Sequence, residues 1–122
     1  MKLLIADDSA LVRNNLRRLL ERKQPDLFIL ESGDIASTKE MVLSEEPDAL
    51  LLDIRMPDGS GFDILEYIKE RGLKLSTIVL TNYATESNRD RSIASGADYF
   101  FDKSNEYNRA IEVLNTLAGS GK

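Results

Sequence analysis

The sequence predicts one α/β domain built on a parallel β-sheet with helices on both faces. Five short apolar runs alternate along the chain with segments of helical spacing, which is the order of a repeated strand–helix unit. Most of the runs are unbroken, as in strands that are buried on both faces. A chain of 122 residues suits a single compact domain, and its 42% of apolar residues supply a core and argue against disorder.

Each element can be located along the chain. The predicted strands are residues 3–6, 27–30, 49–52, 78–80 and 99–101. Helical spacing follows four of them, in the sets Leu11, Val12, Leu16, Leu19 and Leu20; Ile35, Met41 and Val42; Phe62, Leu65 and Ile68; and Ala110, Ile111, Leu114 and Leu117. The fourth helix, roughly residues 86–95, has almost no apolar members besides Ile93 and Ala94, so we expect it to be loosely packed and mobile.

Short polar residues and glycines mark the helix ends. Ser9 and Ser60 stand where helices begin and are suited to cap their N-termini. Gly72 and Gly96 stand where helix C-terminal caps are expected. Residues 119–122 are polar and glycine-rich, so we expect the domain to comprise residues 1–118, followed by a flexible C-terminal end.

The composition excludes several kinds of chemistry. The chain has no Cys and no His, which rules out a thiolate nucleophile, a disulfide framework, a zinc finger and an imidazole general base. Any chemistry must therefore use oxygen ligands and Lys or Arg. No apolar run approaches the ~20 residues that span a bilayer, and Met1 leads directly into a predicted strand, so a cytoplasmic protein without membrane contact is expected.

The charge balance also limits the choice of partners. With 16 basic and 21 acidic side chains the formal net charge is −5, which disfavours direct binding to nucleic acid. Basic residues do cluster on the first predicted helix, but Arg13 and Arg17 lie four apart on what is predicted to be its solvent-facing side. We interpret this cluster as ordinary solvated charge.

Polar residues end four of the five apolar runs. They are Asp7 and Asp8, Asp53, Thr81 and Lys103, after the first, third, fourth and fifth runs. The second run ends at Glu31 and adds nothing obvious. In open α/β sheets ligands bind beyond the carboxyl ends of the strands, so we expect these side chains to gather at one edge of the sheet.

Such a cluster suits a divalent cation and a phosphoryl group. Neighbouring carboxylates repel one another unless a cation neutralises them, and Mg²⁺ prefers carboxylate, water and phosphate oxygens. An aspartate beside that ion is a competent nucleophile toward phosphorus. Lys103 can neutralise one phosphoryl oxygen and the Thr81 hydroxyl can donate a hydrogen bond to another. Phosphoryl transfer depends largely on positioning and charge, so no imidazole is required in this chain. Because the chain has no His, a phosphohistidine donor, if there is one, lies on another molecule.

Over roughly residues 2–118 the chain resembles the receiver domain of two-component response regulators. The matching stretches are residues 4–9 (LIADDS), 51–61 (LLDIRMPDGSG), 79–81 (VLT) and 96–103 (GADYFFDK). Four motifs in the right order make the resemblance specific. It implies a flavodoxin-like (βα)5 fold, a doubly wound parallel sheet with strand order 2-1-3-4-5.

The resemblance also implies a magnesium site around a phosphoacceptor. Asp53 would accept the phosphoryl group. Asp8 and Asp53 would ligate Mg²⁺ directly, together with the backbone carbonyl of Arg55, while Asp7 would assist through a water molecule. Pro57 and the neighbouring glycines force a tight turn, which would aim the Arg55 carbonyl at the metal.

Further roles are implied for residues on the fourth and fifth strands. Thr81 and Lys103 would bind phosphoryl oxygens, and Thr81 would act with Phe100, at the family's aromatic switch position, in a conformational switch. An ordinary buried aromatic is the alternative reading of Phe100. Tyr99 and Phe101 alternate with it along the strand and are predicted to be core residues.

The implied function is that of a phosphoacceptor in two-component signalling. A partner histidine kinase or phosphotransfer protein would supply the phosphoryl group, with at most weak self-phosphorylation and self-dephosphorylation by the chain itself. The switch would change the surface of the fourth helix, fifth strand and fifth helix for a protein output partner. With no DNA-binding module in these 122 residues, we expect output through protein contacts or through a domain outside this sequence, and a phosphorylation-dependent dimer is left open.

Three features depart from the commonest receiver pattern. Ser104 follows Lys103 where most receivers have a proline after a cis peptide, and a cis bond to a non-proline residue costs ~3–4 kcal/mol, so a trans bond is expected. Asn82 replaces a small residue and would narrow the site. Arg55 and Tyr83 are bulky enough to shield the phosphoryl group from water, which predicts slow self-dephosphorylation.

Two other functions fit the same residues. One is a phosphorylation-independent interaction module that keeps its acidic residues for folding or metal binding. The other is a small Mg²⁺-dependent phosphohydrolase, although the haloacid-dehalogenase type needs an acid/base aspartate where this chain has Arg55. Incubation with acetyl phosphate and Mg²⁺ separates the three functions.

Overall fold

The computed structural model describes residues 1–120, which form a five-stranded parallel sheet between two layers of helices. The strands of this sheet are β1 (Lys2–Ala6), β2 (Phe28–Ser32), β3 (Ala49–Leu52), β4 (Ser76–Thr81) and β5 (Tyr99–Asp102). The helices are α1 (Ala10–Lys23), α2 (Ile35–Glu45), α3 (Gly61–Glu70), α4 (Glu86–Ala94) and α5 (Tyr107–Ser120). Of the predicted flexible end, residues 119–120 belong to α5, and residues 121–122 lie outside the described residues.

Strand order in the sheet is β2-β1-β3-β4-β5, which confirms the predicted 2-1-3-4-5 topology. All neighbouring strands pair in parallel, with Ala6 opposite Leu52 and Thr81 opposite Asp102 near their carboxyl ends. Beyond β3 the Asp53 amide still donates to the Ala6 carbonyl, over 3.0 Å. The residues that follow β1 and β3 are therefore held side by side.

Successive residues of the interior strand β1 enter two separate cores. Leu3 and Ile5 pack with residues of α1 and α5, whereas Leu4 and Ala6 pack with residues of α2 and α3. All four are fully buried. Because both faces of the sheet are covered, the strand sequences are apolar at nearly every position, as the unbroken runs predict.

The predicted helix caps are confirmed. The hydroxyl oxygen of Ser9 accepts a hydrogen bond from the Val12 amide, and that of Ser60 accepts one from the Phe62 amide. Gly72 and Gly96 follow α3 and α4 with φ of 64° and 108°, a left-handed conformation that L side chains rarely adopt. These caps fix where the loops leave the helices.

Some predicted core residues are at the surface. Leu11 is 71% exposed and Leu19 37% exposed, because the buried stripe of α1 is narrow and centres on Leu16 and Leu20. Tyr99 is 38% exposed, so the prediction that it is a core residue is wrong, since β5 is an edge strand and Tyr99 lines an open groove beside α5. Its neighbour Phe101 is buried, as predicted.

Two local features go beyond the predicted elements. The second strand reaches Ser32, two residues further than predicted. After β3, residues Arg55–Met56 pair antiparallel with Gly59–Ser60 in a short hairpin, which forms the tight turn expected there. No helix of the described residues is long and apolar enough to cross a membrane.

Helix α4 has few buried residues, and several of its contacts with the domain are made by polar side chains. Of its nine residues only Ser92 is buried. The Arg91 guanidinium lies 4.1 Å from the centre of the Phe62 ring, and Lys69 donates to the Ala94 carbonyl. The scarcity of apolar contacts agrees with the predicted loose packing, and the mobility of α4 stays a prediction.

Candidate phosphoacceptor and metal site

Three aspartates meet beyond the carboxyl ends of β1 and β3. Asp7 and Asp53 are buried, at 4% and 7% exposure, whereas Asp8 is exposed. One carboxylate oxygen from each of the three lies within 4.8 Å of the others. The parallel register explains this proximity, because it aligns the ends of the two neighbouring strands.

Lys103 joins the cluster from the loop after β5. Its Nζ donates to Asp7 Oδ2 over 2.7 Å and to Asp53 Oδ2 over 2.9 Å. Burial acts to lower the pKa of Lys103, but the hydrogen bonds to Asp7 and Asp53 and the negative charge of these two carboxylates together outweigh it and raise the pKa above its ordinary value. The Lys103–Ser104 bond is trans, as expected, since no described peptide bond is cis.

The donor set fits a magnesium ion. Every group in the cluster is a carboxylate oxygen, the ligand type that hard divalent cations prefer. A cationic ammonium already bridges two of the carboxylates, so their charge attracts a cation at this point of the molecule. Asp8 is exposed to solvent. This exposure suits a ligand of Mg²⁺, because the ion usually keeps several of its bound water molecules.

Hydrogen bonds and close packing fix the Asp53 side chain. Its Oδ2 atom accepts from Lys103, and its Oδ1 atom accepts from the Ile54 amide over 2.7 Å. Gly61 approaches the backbone so closely that a Cβ atom there would lie 2.5 Å from the Asp53 carbonyl oxygen. The turn therefore requires glycine at this position, because any side chain would displace the backbone of Asp53.

Thr81 lies at the end of β4, next to the Lys103 loop. It is fully buried, and the Lys103 amide donates to its carbonyl over 2.8 Å. The Thr81 hydroxyl accepts from the Tyr83 amide over 3.1 Å, which leaves its own proton free to donate. Thr81 and Lys103 are thus neighbours in space, although 22 positions separate them in sequence.

Arg55 and Tyr83 contact each other. The Arg55 guanidinium lies 3.9 Å from the centre of the Tyr83 ring, a cation–π stack between the loops that follow β3 and β4. Both side chains are exposed. Each follows a candidate site residue by two positions, so the stack joins the loop of Asp53 to the loop of Thr81.

Phe100 is buried in the core on the α3 side of the sheet, at 4% exposure. The Arg89 guanidinium of α4 lies 4.8 Å from its ring centre and donates to its carbonyl. Arg89 also pairs with Glu106 just before α5, over 3.7 Å. A single arginine therefore contacts both the candidate switch residue and the start of the last helix.

Tyr107 begins α5 beside Lys103. Both residues line an open groove of about 480 Å³ between α1 and α5, together with Leu19 and Arg22. Burial raises the pKa of the Tyr107 phenol and outweighs the opposing charge of Lys103. The phenol is therefore protonated at neutral pH.

The interpretation of Arg13 and Arg17 as solvated charge is wrong. Arg13 Nε contacts Glu31 Oε1 over 2.9 Å, and Arg17 Nε contacts Glu31 Oε2 over 2.8 Å. Burial alone would raise the pKa of Glu31, but the hydrogen bonds from Arg17 and Arg13 lower it below its ordinary value. The second strand thus contributes Glu31 near the candidate site, and the only signal for it in the sequence is its position at a strand end.

Comparison with known proteins identifies the class to which this arrangement belongs. A family model described as the response regulator receiver domain matches residues 3–115. The chain belongs to the response regulator receiver domain family. Receiver domains are phosphoacceptors rather than conventional enzymes.

Among named relatives, the chain is similar to Response regulator MprA of Mycobacterium avium, at 32% identity over 84% of this chain and 44% of that protein. It is also similar to the nitrate/nitrite response regulator protein NarP of Escherichia coli, at 30% identity over 99% of this chain and 56% of that protein. The chain therefore spans about half the length of these relatives.

Solved structures agree with the fold. The signal receiver domain of a DNA-binding response regulator from Colwellia psychrerythraea has a TM-score of 0.89 at 24% identity, covering 98% of this chain and 99% of that one. The receiver domain of the Francisella response regulator 1452 has a TM-score of 0.88 at 20% identity, covering 99% and 98%. At these identities the likeness concerns the fold alone.

Proposed function

We propose that this receiver domain takes a phosphoryl group onto Asp53 from the phosphohistidine of a partner histidine kinase or phosphotransfer protein, in a reaction that requires Mg²⁺. The observation that carries the proposal is the pair of hydrogen bonds from Lys103 to Asp7 and Asp53. They join residues from three separate strand ends into one charged cluster. The predicted cytoplasmic location remains part of the proposal.

The proposed metal ligands are the carboxylates of Asp8 and Asp53 and the backbone carbonyl of Arg55, with Asp7 acting through a water molecule. When bound, Mg²⁺ would neutralise negative charge on the carboxylates and on the incoming phosphoryl group. The acidic cluster supports this assignment by its all-oxygen chemistry and by the exposure of Asp8. The assignment of the Arg55 carbonyl rests on the family resemblance.

In the proposed step an Asp53 carboxylate oxygen forms a bond to phosphorus while the bond between phosphorus and the donor's imidazole nitrogen breaks. The electron pair of that bond stays on the nitrogen, and the imidazole, protonated on its other nitrogen, leaves as a neutral group. Lys103 and the Ile54 amide hold the carboxylate in one orientation before transfer. Such positioning supplies most of the catalysis in phosphoryl transfer.

After transfer the new group carries about −1.5 to −2 units of charge and three acceptor oxygens. We assign the Lys103 ammonium to one oxygen and the Thr81 hydroxyl to another, because both donors belong to the same small region. Drawing them inward would shift a two-state arrangement of Phe100, α4 and β5. The proposed readout is binding of a protein output partner to the surface of α4, β5 and α5, with dimerisation on phosphorylation left as a further outcome.

Incubation with acetyl phosphate and Mg²⁺, followed by intact-protein mass spectrometry, tests the proposal. The expected result is one phosphoryl adduct, which is lost in Asp53→Asn and without Mg²⁺. Asp26→Asn is the matched control. Asp26 is exposed and precedes β2, so it lies at the amino-terminal ends of the strands, whereas the candidate site lies at their carboxyl ends. No adduct on the wild type would favour an interaction module, and rapid turnover of acetyl phosphate without an adduct would favour a phosphohydrolase.

A further inference from the structure

Arg13 makes a contact that the proposed function does not use. Its Nη1 atom donates to the backbone carbonyl of Asp7 over 2.5 Å, while its Nε atom pairs with Glu31. The side chain is 19% exposed, so it is largely withdrawn from water. The guanidinium thus joins α1, β2 and the loop after β1.

The Asp7 carbonyl belongs to the peptide unit that links Asp7 to Asp8. Because a peptide unit is planar, a rotation of this plane reorients both residues together. The Asp7 side chain has further anchors in Lys103 and in the Ser9 amide, which donates to its Oδ1 atom over 2.9 Å. Asp8 makes no side-chain hydrogen bond or ion pair with any described residue, so its backbone, which Arg13 holds through the Asp7 carbonyl, is what places its carboxylate beside the cluster.

Arg13 is itself held in place. Glu31 accepts from Arg13 through one oxygen and from Arg17 through the other, and Arg17 also donates to the Ile29 carbonyl over 3.1 Å. Charge-assisted bonds of this kind are stronger than neutral ones and fix geometry. Arg17 shares the Glu31 carboxylate and has no hydrogen bond to Asp7 among the described residues, so it provides a matched control.

We propose that Arg13 is a positioning residue for the divalent cation site, acting by fixing the Asp7–Asp8 peptide so that the Asp8 carboxylate faces the site. The proposal rests on the proposed function, since it presumes that Asp8 is a metal ligand. Partners that orient a metal ligand without touching the metal are a general feature of metal sites.

Calorimetric titration with Mg²⁺ alone, on the full chain and without a phosphodonor, provides the test. Arg13→Gln is expected to weaken Mg²⁺ binding about tenfold or more, the usual effect of losing such an orienting partner. Arg17→Gln is expected to leave the Mg²⁺ affinity within about twofold, because Arg13 keeps its hydrogen bond to the Asp7 carbonyl in this variant. Arg13→Lys keeps one donor and is expected to give an intermediate affinity.

The acetyl phosphate reaction gives a second readout. In Arg13→Gln the half-saturating Mg²⁺ concentration should rise while the rate at saturating Mg²⁺ stays close to that of the wild type. Equal Mg²⁺ affinities for Arg13→Gln, Arg17→Gln and the wild type would overturn the proposal and leave the network a purely structural one. If Arg13→Gln does not fold, Arg13→Lys decides, and wild-type affinity in that variant would overturn the proposal as well.

The two proposals fail in different ways. A wild-type chain that binds no Mg²⁺ and gains no phosphoryl group contradicts the proposed function. A wild type that does both, with variants whose Mg²⁺ affinity is unchanged, contradicts the role of Arg13 alone.

Discussion

Lys103 forms ion pairs with two buried carboxylates at once. Replacing it by the similarly long, uncharged Met leaves Asp7 and Asp53 unpaired in a largely buried position. Removing one partner of a buried ion pair costs about 3–5 kcal/mol, so Lys103→Met should lower the free energy of unfolding by about that amount when EDTA is present. Urea unfolding monitored by circular dichroism measures the loss.

Saturating Mg²⁺ should recover part of this stability, because the divalent cation neutralises the same carboxylates. Mg²⁺ should therefore raise the free energy of unfolding more in Lys103→Met than in the wild type. An equal gain in both proteins would contradict the idea that Lys103 and the cation neutralise the same charge.

Gly61 is required by the close approach of its backbone to Asp53. In Gly61→Ala the new methyl group would overlap the Asp53 carbonyl oxygen, at 2.5 Å. Overpacking of this kind costs about 1–3 kcal/mol, and the displacement should also slow phosphorylation. Gly119→Ala is the control, because a Cβ atom there meets nothing within 4 Å and lies in α5. Thermal unfolding measures the stability of both variants. A Gly61→Ala variant as stable as Gly119→Ala would refute the argument.

At the scale of elements, Asp58 ties the hairpin after β3 to helix α2. Its carboxylate accepts from the Ile35 amide over 2.7 Å and from the Ala36 amide over 3.1 Å. The hydrogen bond from Ile35 is the main reason that the pKa of Asp58 lies below its ordinary value of 3.8. A carboxyl group with a lowered pKa stabilises the folded state above its unfolded pKa, and this contribution is lost as the pH falls through the folded value.

Asp58→Asn should therefore be less stable than the wild type near neutral pH. The free energies of unfolding of the two proteins should converge as the pH falls below 3.8, because the carboxyl group of the wild type then becomes protonated and loses its charge. Urea unfolding across this range measures the difference, and a difference that does not change with pH would show that the charge of Asp58 is irrelevant.

The stack of Arg55 on Tyr83 connects two loops beside the candidate site. We predict that it slows the loss of the phosphoryl group by excluding water. A cation–π contact at an exposed site contributes about 0.5–1 kcal/mol. Because water would reach the phosphoryl group when this contact opens, losing the contact in Tyr83→Ala should raise the open fraction, and shorten the lifetime, about two- to fivefold. Phosphate release from phosphorylated Asp53 gives the lifetime. Tyr83→Phe keeps the ring and is the control, and an unchanged lifetime in Tyr83→Ala removes the idea.

For the whole molecule, the topology and the meeting of the acidic residues could be anticipated from the sequence. Apolar runs such as 49–52 identify buried strands locally, and a parallel sheet then brings residues such as Asp7 and Asp53 to one edge. These inferences need only short stretches of sequence and one general rule about sheets. The family resemblance added the strand order.

Pairings between distant segments could not be anticipated in the same way. Glu31 and Arg13 each look like ordinary surface charges until the packing of α1 on the sheet brings them together. Arg89 acquires its contact with Phe100 only because α4 lies against β5. Side chains of this kind have many alternative partners in the sequence, and tertiary packing selects among them.

Guanidinium and ammonium groups make several of the contacts between helix α4 and the rest of the domain, among them the ion pair of Arg89 with Glu106. Interactions between exposed charges are screened by dissolved salt, whereas apolar packing is not weakened in this way. A rise in ionic strength should therefore weaken the packing of α4 before it affects the other helices. The surrounding salt would then set how readily this face of the domain rearranges.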